Sequence, residues 1–189
     1  ERRKDKMTFR KLLVSPVIMR DRLGELIDAE IASAKEGKKA GIIAKMNSLE
    51  DRKMIAKLYE ASGAGVKISL IVRGICCLVA GVKGMSENIE VISIVDRFLE
   101  HARVYVFHNG GDELYYLSSA DWMNRNLSHR IEVAFPVYGT RLKHMLRTII
   151  DLQLSDTVKA RIVDREQANR YRKGPQEVRA QDAIRDALR

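Results

Sequence analysis

Two residues that could carry chemistry, His101 and Arg103, stand at the start of residues 101–107, a run with the alternating pattern of a β-strand. Side chains two apart on a strand share a face, so the imidazole and the guanidinium should point the same way. The cation can bind phosphate oxygens, while the imidazole can protonate a leaving oxygen or attack phosphorus. The pair indicates anion chemistry, although a structural histidine at the rim of a sheet would show the same spacing.

A third candidate, Arg73, directly follows residues 66–72, a β-branched run that predicts a buried strand. In open α/β sheets, ligands bind in the crevice at the carboxyl ends of the strands. Gly74 follows and would let the backbone approach a ligand closely. Arg73 therefore stands where an anionic ligand would bind.

The polar run 118–126 surrounds the only tryptophan, Trp122. Its density of hydrogen-bonding groups suits the wall of a site, although a capped turn would give the same pattern. For Trp122 itself we favour a place in the core.

Several kinds of site are missing from the sequence. There is neither a G-x-x-x-x-G-K-[ST] motif nor a G-x-G-x-x-G motif, which argues against the common nucleotide-binding folds. His108, His129 and His144 have no partner at metal-ligand spacing, so we expect structural or exposed histidines and no metal site. Adjacent Cys76 and Cys77, in an apolar setting, predict reduced and buried thiols of a cytoplasmic protein.

The net charge of +9 on 189 residues is concentrated at the two ends. Residues 1–11 hold six Lys and Arg against two acids, and residues 159–189 hold nine against five. A nearly neutral middle argues against a nucleic-acid groove, so we expect solvated ends, with anion binding as the alternative. No apolar stretch approaches the roughly 18 to 20 residues of a membrane span, which predicts a soluble protein.

Elements that could position these residues follow from periodicity and turn signals. Ser15-Pro16 predicts the start of a first helix that ends at Gly37, and Ser48 predicts the start of a second. A helical turn is expected at 95–100, and residues 74–88 form a long loop. The remaining predicted elements are strands at 40–46, 66–72, 89–94, 103–107, 113–118 and 131–137, and helices at 141–154 and 177–188.

These elements predict an α/β fold with a mixed, mainly parallel β-sheet and helices on both faces. The second strand is reached through a helix, as in a βαβ unit, and Asn109-Gly110-Gly111 predicts a hairpin turn. We expect residues 1–10 to be a linker or the remnant of a preceding domain, and residues 11–189 to form a single domain. A start at Glu1 is typical of a fragment.

Several motifs, in order along the chain, resemble the C-terminal (last) domain of bacterial polyphosphate kinase of the long-chain-synthesising type. Residues 42–49 and 155–161 also fit, so the resemblance runs from about residue 9 to the end. The four most specific motifs are residues 71–78 (IVRGICCL), 84–89 (GMSENI), 93–101 (SIVDRFLEH) and 119–126 (SADWMNRN).

The resemblance implies a phospholipase-D-like fold and reversible transfer of the terminal phosphate of ATP to polyphosphate through a phosphohistidine. That histidine would lie in an upstream domain, so this chain alone should be inactive. His101 matches a second essential, catalytic histidine and Arg73 matches a phosphate-binding arginine. The chain departs from the family pattern at Val79-Ala80, where Arg-Pro is usual.

The resemblance also implies ATP as substrate and Mg²⁺ in the full-length enzyme. Its expected partners are the upstream domains, ADP, polyphosphate and further copies of the protein, at a cytoplasmic location with at most peripheral contact with the inner membrane.

Two other functions stay open. A phospholipase-D-like phosphodiesterase or nuclease needs His-x-Lys with Asp five residues after the lysine, and here Arg103 and His108 occupy those positions. A non-catalytic anion-binding or assembly domain would need only the basic ends.

Overall fold

The computed structural model describes residues 8–189, which form one β-sheet covered by helices. A short 3₁₀ turn, Asn109–Gly111, joins two of the strands. In chain order the elements are β1 (Leu13–Ser15), α1 (Met19–Lys35), β2 (Gly41–Met46), α2 (Arg52–Gly63), β3 (Lys67–Val72), β4 (Ile89–Ile94), β5 (Arg103–Phe107), β6 (Leu114–Ser118), α3 (Asn124–Ser128), β7 (Glu132–Val137), α4 (Thr140–Leu154), β8 (Ala160–Ile162) and α5 (Ala180–Ala187).

The strands are arranged in the order β1-β7-β6-β5-β2-β3-β4-β8. The α/β class and the mixed sheet are confirmed, but the prediction of a mainly parallel sheet is wrong. Only β2, β3 and β4 run parallel to one another, and every other neighbouring pair is antiparallel. The physical reason is that β5, β6 and β7 pair in chain order as a meander, in which each strand runs opposite to the one before it, and that β1 and β8 pair antiparallel at the two edges of the sheet.

Helices cover both faces of the sheet, as predicted. The first core lies under α1 and α2, and the second lies under α4 and α5. Strand β2 contributes to both, because Ile42 and Ala44 face the first core while Ile43 faces the second. On α1, Leu23, Ile27 and Ile31 recur every fourth residue, which places them on one buried stripe.

The first helix begins later than predicted. Ser15, the predicted N-cap, ends strand β1, and its hydroxyl donates to the backbone carbonyl of Asn126 instead. The helix starts at Met19 after a turn, and its N-cap residue, Ile18, makes no side-chain capping bond. Tertiary pairing of β1 with β7 therefore overrides the local Ser-Pro signal.

The second helix is capped by Asp51 and not by the predicted Ser48. The Asp51 carboxylate accepts hydrogen bonds from the backbone N–H groups of Lys53 and Met54, each at 3.1 Å. An aspartate here satisfies two donors that the first turn leaves unpaired.

Other local predictions fail where the segments are short. Residues 95–100 contain a bend and no helical turn, and Arg179 and Gln181 hold this segment by hydrogen bonds to Asp96 and Phe98. Strands β1 and β8 and helix α3 were not predicted, since three to five residues carry too little periodicity. The loop 74–88 is confirmed as free of helix and strand, and both cysteines are free thiols. The prediction that both are buried is wrong, because they lie on this loop, where Cys77 is exposed and Cys76 is only partly buried.

The predicted linker, residues 1–10, falls mostly on residues 1–7, which lie outside the described residues. The domain boundary at residue 11 stays a prediction. Within residues 8–189, no helix is long and apolar enough to cross a membrane.

Candidate functional site

Strand directions bring the candidate residues to one edge of the sheet. Strands β2 and β3 are parallel, so their carboxyl ends, followed by Asn47 and Arg73, lie side by side. Strand β5 is antiparallel to β2, which places its first residue, Arg103, at the same edge. Strand β6 is antiparallel to β5 and ends there too, leading to Asp121. We call this edge the carboxyl edge.

A chain of hydrogen bonds starts at Arg73. Its Nε donates to Oδ1 of Asn47 at 3.0 Å. The backbone and side-chain nitrogens of Asn47 in turn donate to Oδ1 of Asp121, at 2.7 and 3.2 Å. The side chain of Asn47 therefore links the Arg73 guanidinium to the Asp121 carboxylate.

The chain continues from Asp121 to His101. Arg103 donates from Nε and Nη2 to the two carboxylate oxygens of Asp121, at 3.2 and 3.1 Å. The remaining Nη1 donates to the His101 carbonyl at 3.0 Å and lies 3.1 Å from His101 Nδ1. The two residues that the sequence identified, Arg73 and His101, thus belong to one network.

The contact with Arg103 determines which nitrogen of His101 carries the proton. A guanidinium can only donate, so Nδ1 acts as acceptor and the ring proton lies on Nε2. The side chain is exposed and just precedes β5. His101 therefore offers an Nε2–H donor to a ligand at the carboxyl edge.

Asp121 lies at the centre of the network, with its side chain only 8% exposed. Burial raises the pKa of this carboxyl, but hydrogen bonds from Arg103 and Asn47 outweigh burial and hold the pKa below its ordinary value. The carboxylate is therefore charged at neutral pH and balances the charge of Arg103. Among the described residues no acidic group lies within ion-pair distance of Arg73, so its positive charge is available to an anion.

A second ion pair supports His101 from the other face of the sheet. Lys45, on β2, contacts Glu100 at 2.6 Å, and both side chains are largely buried. Gln153 of α4 and Gln181 of α5 also donate to the Glu100 carboxylate. Because Glu100 directly precedes His101, these contacts fix the backbone that carries the imidazole.

A third ion pair holds the beginning of residues 95–100, the segment that leads to His101. Arg179, just before α5, donates to both carboxylate oxygens of Asp96 at 2.6 and 2.8 Å. The Asp96 side chain is only 2% exposed. The hydrogen bonds from Arg179 lower the pKa of Asp96 from 3.8 to about 2, against the opposing effect of burial.

The lowered pKa of Asp96 predicts an acid-dependent loss of stability. A carboxyl whose pKa is lower in the folded state stabilises the fold above its unfolded pKa, and this contribution disappears as pH falls from 3.8 through about 2. We expect Asp96→Asn to lower the free energy of unfolding at pH 7 by about 1 to 2 kcal/mol, a value reduced for screening at the partly exposed Arg179.

Urea unfolding of the wild type and of Asp96→Asn at several pH values measures this effect. The difference between them should be largest at neutral pH and should shrink as pH falls below 3.8. Asp112→Asn, at an exposed carboxylate, serves as the control. A difference that does not change with pH would contradict the assignment.

Some site residues were missed by the sequence analysis. Asn47 carries a signal like that of Arg73, since each directly follows a strand at the carboxyl edge. Lys45 was missed because it lies within a strand of mostly apolar residues, and Asp121 was considered only as part of the polar run 118–126. Trp122 is fully buried beside Tyr105, with ring centroids 5.2 Å apart, which confirms its predicted place in the core.

The loop after Arg73 carries Val79 and Ala80, where the family resemblance predicts Arg-Pro. In place of the usual Arg-Pro, Val79 donates its backbone N–H to the Tyr59 hydroxyl and Ala80 is buried. Across residues 8–189, no group of three or more His, Cys, Asp or Glu side chains could hold a metal ion.

The fold and this edge define a class of protein. The structure is similar to a phospholipase D family member, Nuc from Salmonella typhimurium, with a TM-score of 0.56 over 82% of this chain and 97% of that chain at 13% identity. The domain is therefore an α/β domain with the phospholipase-D-like fold. Residues 12–181 match the family described as polyphosphate kinase C-terminal domain 2, and the chain belongs to that family.

Relatives of higher identity agree with this assignment. The chain is 54% identical over 183 residues to a polyphosphate kinase of Vibrio parahaemolyticus, and 52% identical over 185 residues to one of Escherichia coli. These matches cover 96% and 97% of this chain but only 26% and 27% of the relatives. The crystal structure of polyphosphate kinase from Porphyromonas gingivalis matches with a TM-score of 0.93 and 46% identity, over 96% of this chain and 28% of that chain.

Proposed function

We propose that this chain works as the C-terminal part of a polyphosphate kinase, which reversibly transfers the terminal phosphate of ATP to polyphosphate through a phosphohistidine in an upstream domain. The observation that carries this proposal is the hydrogen-bonded chain that joins Arg73 to His101 at the carboxyl edge. Relatives that are named polyphosphate kinase support it.

Each residue has a defined role in this proposal. Arg73 binds the phosphate tail of ATP or polyphosphate with the guanidinium nitrogens that Asn47 does not engage. His101 donates its Nε2–H to the oxygen that bridges the β and γ phosphates, where negative charge develops as the bond to phosphorus breaks. Arg103, Asn47 and Asp121 position these two side chains.

The other parts of the reaction come from outside this chain. ATP and polyphosphate are the substrates, ADP is a product, and we propose that any Mg²⁺ enters bound to the ATP phosphates as part of the substrate. The upstream domains supply the phosphorylated histidine. Association of several copies, a cytoplasmic location with at most peripheral membrane contact, and a single domain over residues 11–189 complete the proposal.

The geometry gives little support to a phospholipase-D-like phosphodiesterase. Arg103, at the position of the required lysine, is engaged by Asp121. His108, at the position of the required aspartate, follows the far end of β5 and donates its backbone N–H to Gly41 at the opposite edge of the sheet.

We expect this chain, incubated alone with γ-labelled ATP, to remain unlabelled, because the nucleophilic histidine lies in the upstream domain. Phosphohistidine survives base, so alkaline gel analysis detects it. The complete polypeptide under the same conditions should give a labelled band and is the positive control. A base-stable label on this chain alone would contradict the proposal.

Arg73→Lys keeps the positive charge but loses the planar fork that binds two phosphate oxygens. In the complete enzyme we expect a loss of about 1 to 3 kcal/mol of transition-state stabilisation, the range for hydrogen bonds to charged groups. Steady-state kinetics with ATP measure the loss, and Arg141→Lys on exposed surface is the matched control. If Arg73→Lys turned over at close to the wild-type rate, Arg73 would not bind phosphate through two guanidinium nitrogens.

A further inference from the structure

A cavity opens at the amino edge of the sheet, by which we mean the end where β2 and β3 begin and β5 ends. It lies opposite the carboxyl edge, on the face that α4 covers, and measures about 210 Å³. The apolar part of its wall includes Ile43 and Val106, which belong to the second core. Its polar lining consists of Lys39, Lys67, Ser69, His108, Glu113 and Arg147.

The charged groups of this cavity leave a positive excess. Among the described residues that line it, Glu113 is the one acid, and its carboxylate is paired with Arg147 of α4 at 2.7 Å. Lys39 and Lys67 are exposed at the beginnings of β2 and β3, and neither has a carboxylate within ion-pair distance in the described part of the chain. The ammonium of Lys67 donates to the neutral side chain of Asn88. Two positive charges are therefore available to an anion.

Two neutral side chains add hydrogen-bonding groups to this charge. Nδ1 of His108 is buried and has no hydrogen-bond partner within residues 8–189, which costs free energy unless a bound group satisfies it. With a proton on Nδ1, the imidazole would donate to an oxygen atom of a ligand. The hydroxyl of Ser69, partly buried on β3, is a second donor. Lysine, hydroxyl and imidazole donors together are suited to phosphate oxygens.

Gly41 leaves room for a ligand between these groups. It pairs with Lys67 across β2 and β3, and it shares a face of the sheet with Ile43 in the cavity wall. A Cβ added here would lie 3.5 Å from the carbonyl oxygen of Lys67 and 3.9 Å from Cβ of His108. A larger side chain would therefore occupy the space between the lysine and the histidine, although the strand itself has room for the Cβ.

We propose that this cavity binds a phosphate oxyanion, either as inorganic phosphate or as the end of a polyphosphate chain. Its size fits such a small group, because pockets that enclose drug-sized ligands measure about 300 to 1,000 Å³. Lys67 and Arg73 stand at opposite ends of β3, six residues or about 20 Å of strand apart. The site is therefore separate from the carboxyl edge, and the inference does not depend on the proposed function.

A ligand in this position would connect parts of the domain that are distant in the sequence. Lys39 and Lys67 belong to two neighbouring strands, whose like charges repel each other without an anion between them. His108 follows β5, and Arg147 lies on α4. Because all these groups come together only in the folded chain, a bound phosphate should stabilise the fold by mass action.

Titration of this chain with sodium phosphate at constant ionic strength, followed by amide NMR, tests the proposal. The chain carries Arg73→Gln, so that the carboxyl edge does not contribute to binding. We expect saturable shifts of the amide signals of Gly41, Ser69 and His108. Shifts confined to other parts of the chain, or shifts that do not saturate, would overturn the proposal.

Removal of the two uncompensated charges should weaken this binding. In the same background, Lys39→Gln with Lys67→Gln should raise the Kd for phosphate by about 10-fold or more, the equivalent of one lost hydrogen bond to a charged group. Lys53→Gln with Lys83→Gln removes two exposed lysines from segments that follow the carboxyl ends of β2 and β3, and is the charge-matched control. Equal weakening by both pairs would show general electrostatic attraction and would exclude a site at the amino edge.

Gly41→Val tests the cavity without changing any charge. A β-branched side chain suits a strand, so we expect the variant to fold, as measured by thermal unfolding without phosphate. It should lose saturable binding of phosphate, because the added side chain fills the space beside Lys67 and His108. Unchanged binding would place the ligand outside the cavity. The paired lysine variants decide the question if Gly41→Val does not fold.

Thermal unfolding gives an independent readout. Phosphate should raise the Tm of the Arg73→Gln chain, and it should raise that of the chain that also carries Lys39→Gln and Lys67→Gln much less. An equal rise in both chains would contradict a site formed by the two lysines.

A second anion distinguishes the two sources of the phosphate group. A lower Kd for tripolyphosphate than for inorganic phosphate, with shifts of the same amide signals, would identify the end of a polyphosphate chain as the ligand. An equal or higher Kd would identify inorganic phosphate. If neither anion shifts the signals of Gly41, Ser69 and His108, the proposal is wrong.

Discussion

His101→Ala in the complete enzyme should lower the rate of phosphoryl transfer by about 10²- to 10³-fold, the usual cost of removing one preorganised hydrogen-bond donor from developing negative charge. The Nε2–H of His101 is the group that would stabilise the charge on the bridging oxygen, and alanine cannot replace it. Rapid-quench measurement of phosphoenzyme formation from ATP reports this step directly.

The same substitution should leave the fold intact. His101 is exposed and lies outside the strand, so its removal creates no cavity in the core. Thermal unfolding of His101→Ala should therefore match that of the wild type. His129→Ala, which removes another exposed histidine, is the matched control and should change neither the rate nor the stability.

His101→Gln distinguishes proton transfer from positioning, because an amide donates a hydrogen bond but cannot transfer its proton. We expect an activity between those of the wild type and His101→Ala. Full activity of His101→Gln would exclude proton transfer and leave only positioning. Full activity of His101→Ala would show that the residue is structural and that the site is wrongly assigned.

Asp121→Ala should have the largest effect on stability, lowering the free energy of unfolding by about 3 to 5 kcal/mol. Removing one partner of a largely buried ion pair leaves the other charge uncompensated, here the guanidinium of Arg103. Asn47 also loses the acceptor of two hydrogen bonds. Urea unfolding of this chain measures the change directly, and Asp186→Ala, at an exposed ion pair, should have little effect.

A double-mutant cycle tests whether the loss comes from the uncompensated charge. Arg103→Met in the Asp121→Ala background removes the second charge, so the double variant should be more stable than the sum of the two single changes predicts. Strict additivity would show that Arg103 and Asp121 do not depend on each other.

Asp121→Ala should also inactivate the complete enzyme, although Asp121 is a positioning residue. Without it, Asn47 no longer holds Arg73, and Arg103 no longer holds the imidazole of His101. Asp121→Asn keeps an acceptor oxygen and should restore part of the stability. A variant that unfolds more easily but keeps wild-type turnover would contradict the positioning role.

Local sequence patterns determined most of the elements of this domain. The buried runs that became β2, β3 and β4 and the turn at Asn109-Gly110-Gly111 could be predicted because each depends on neighbouring residues alone. Local patterns also predicted that Arg73 follows the end of a strand and that His101 and Arg103 share one face of a strand. The ordered motifs carried the resemblance to the polyphosphate kinase family, which the comparisons confirmed.

Only the tertiary structure decided strand direction and the network that positions the site. The antiparallel pairing of β5 with β2 and of β6 with β5 places residues 47, 73, 101–103 and 121 at one edge, although they lie far apart in the sequence. No local sequence pattern predicts that Asp121 accepts hydrogen bonds from both Arg103 and Asn47, because these contacts depend on how distant strands pair. The sequence by itself therefore identified Arg73 and His101 as candidates for phosphate binding, and long-range pairing decided which residues hold them in position.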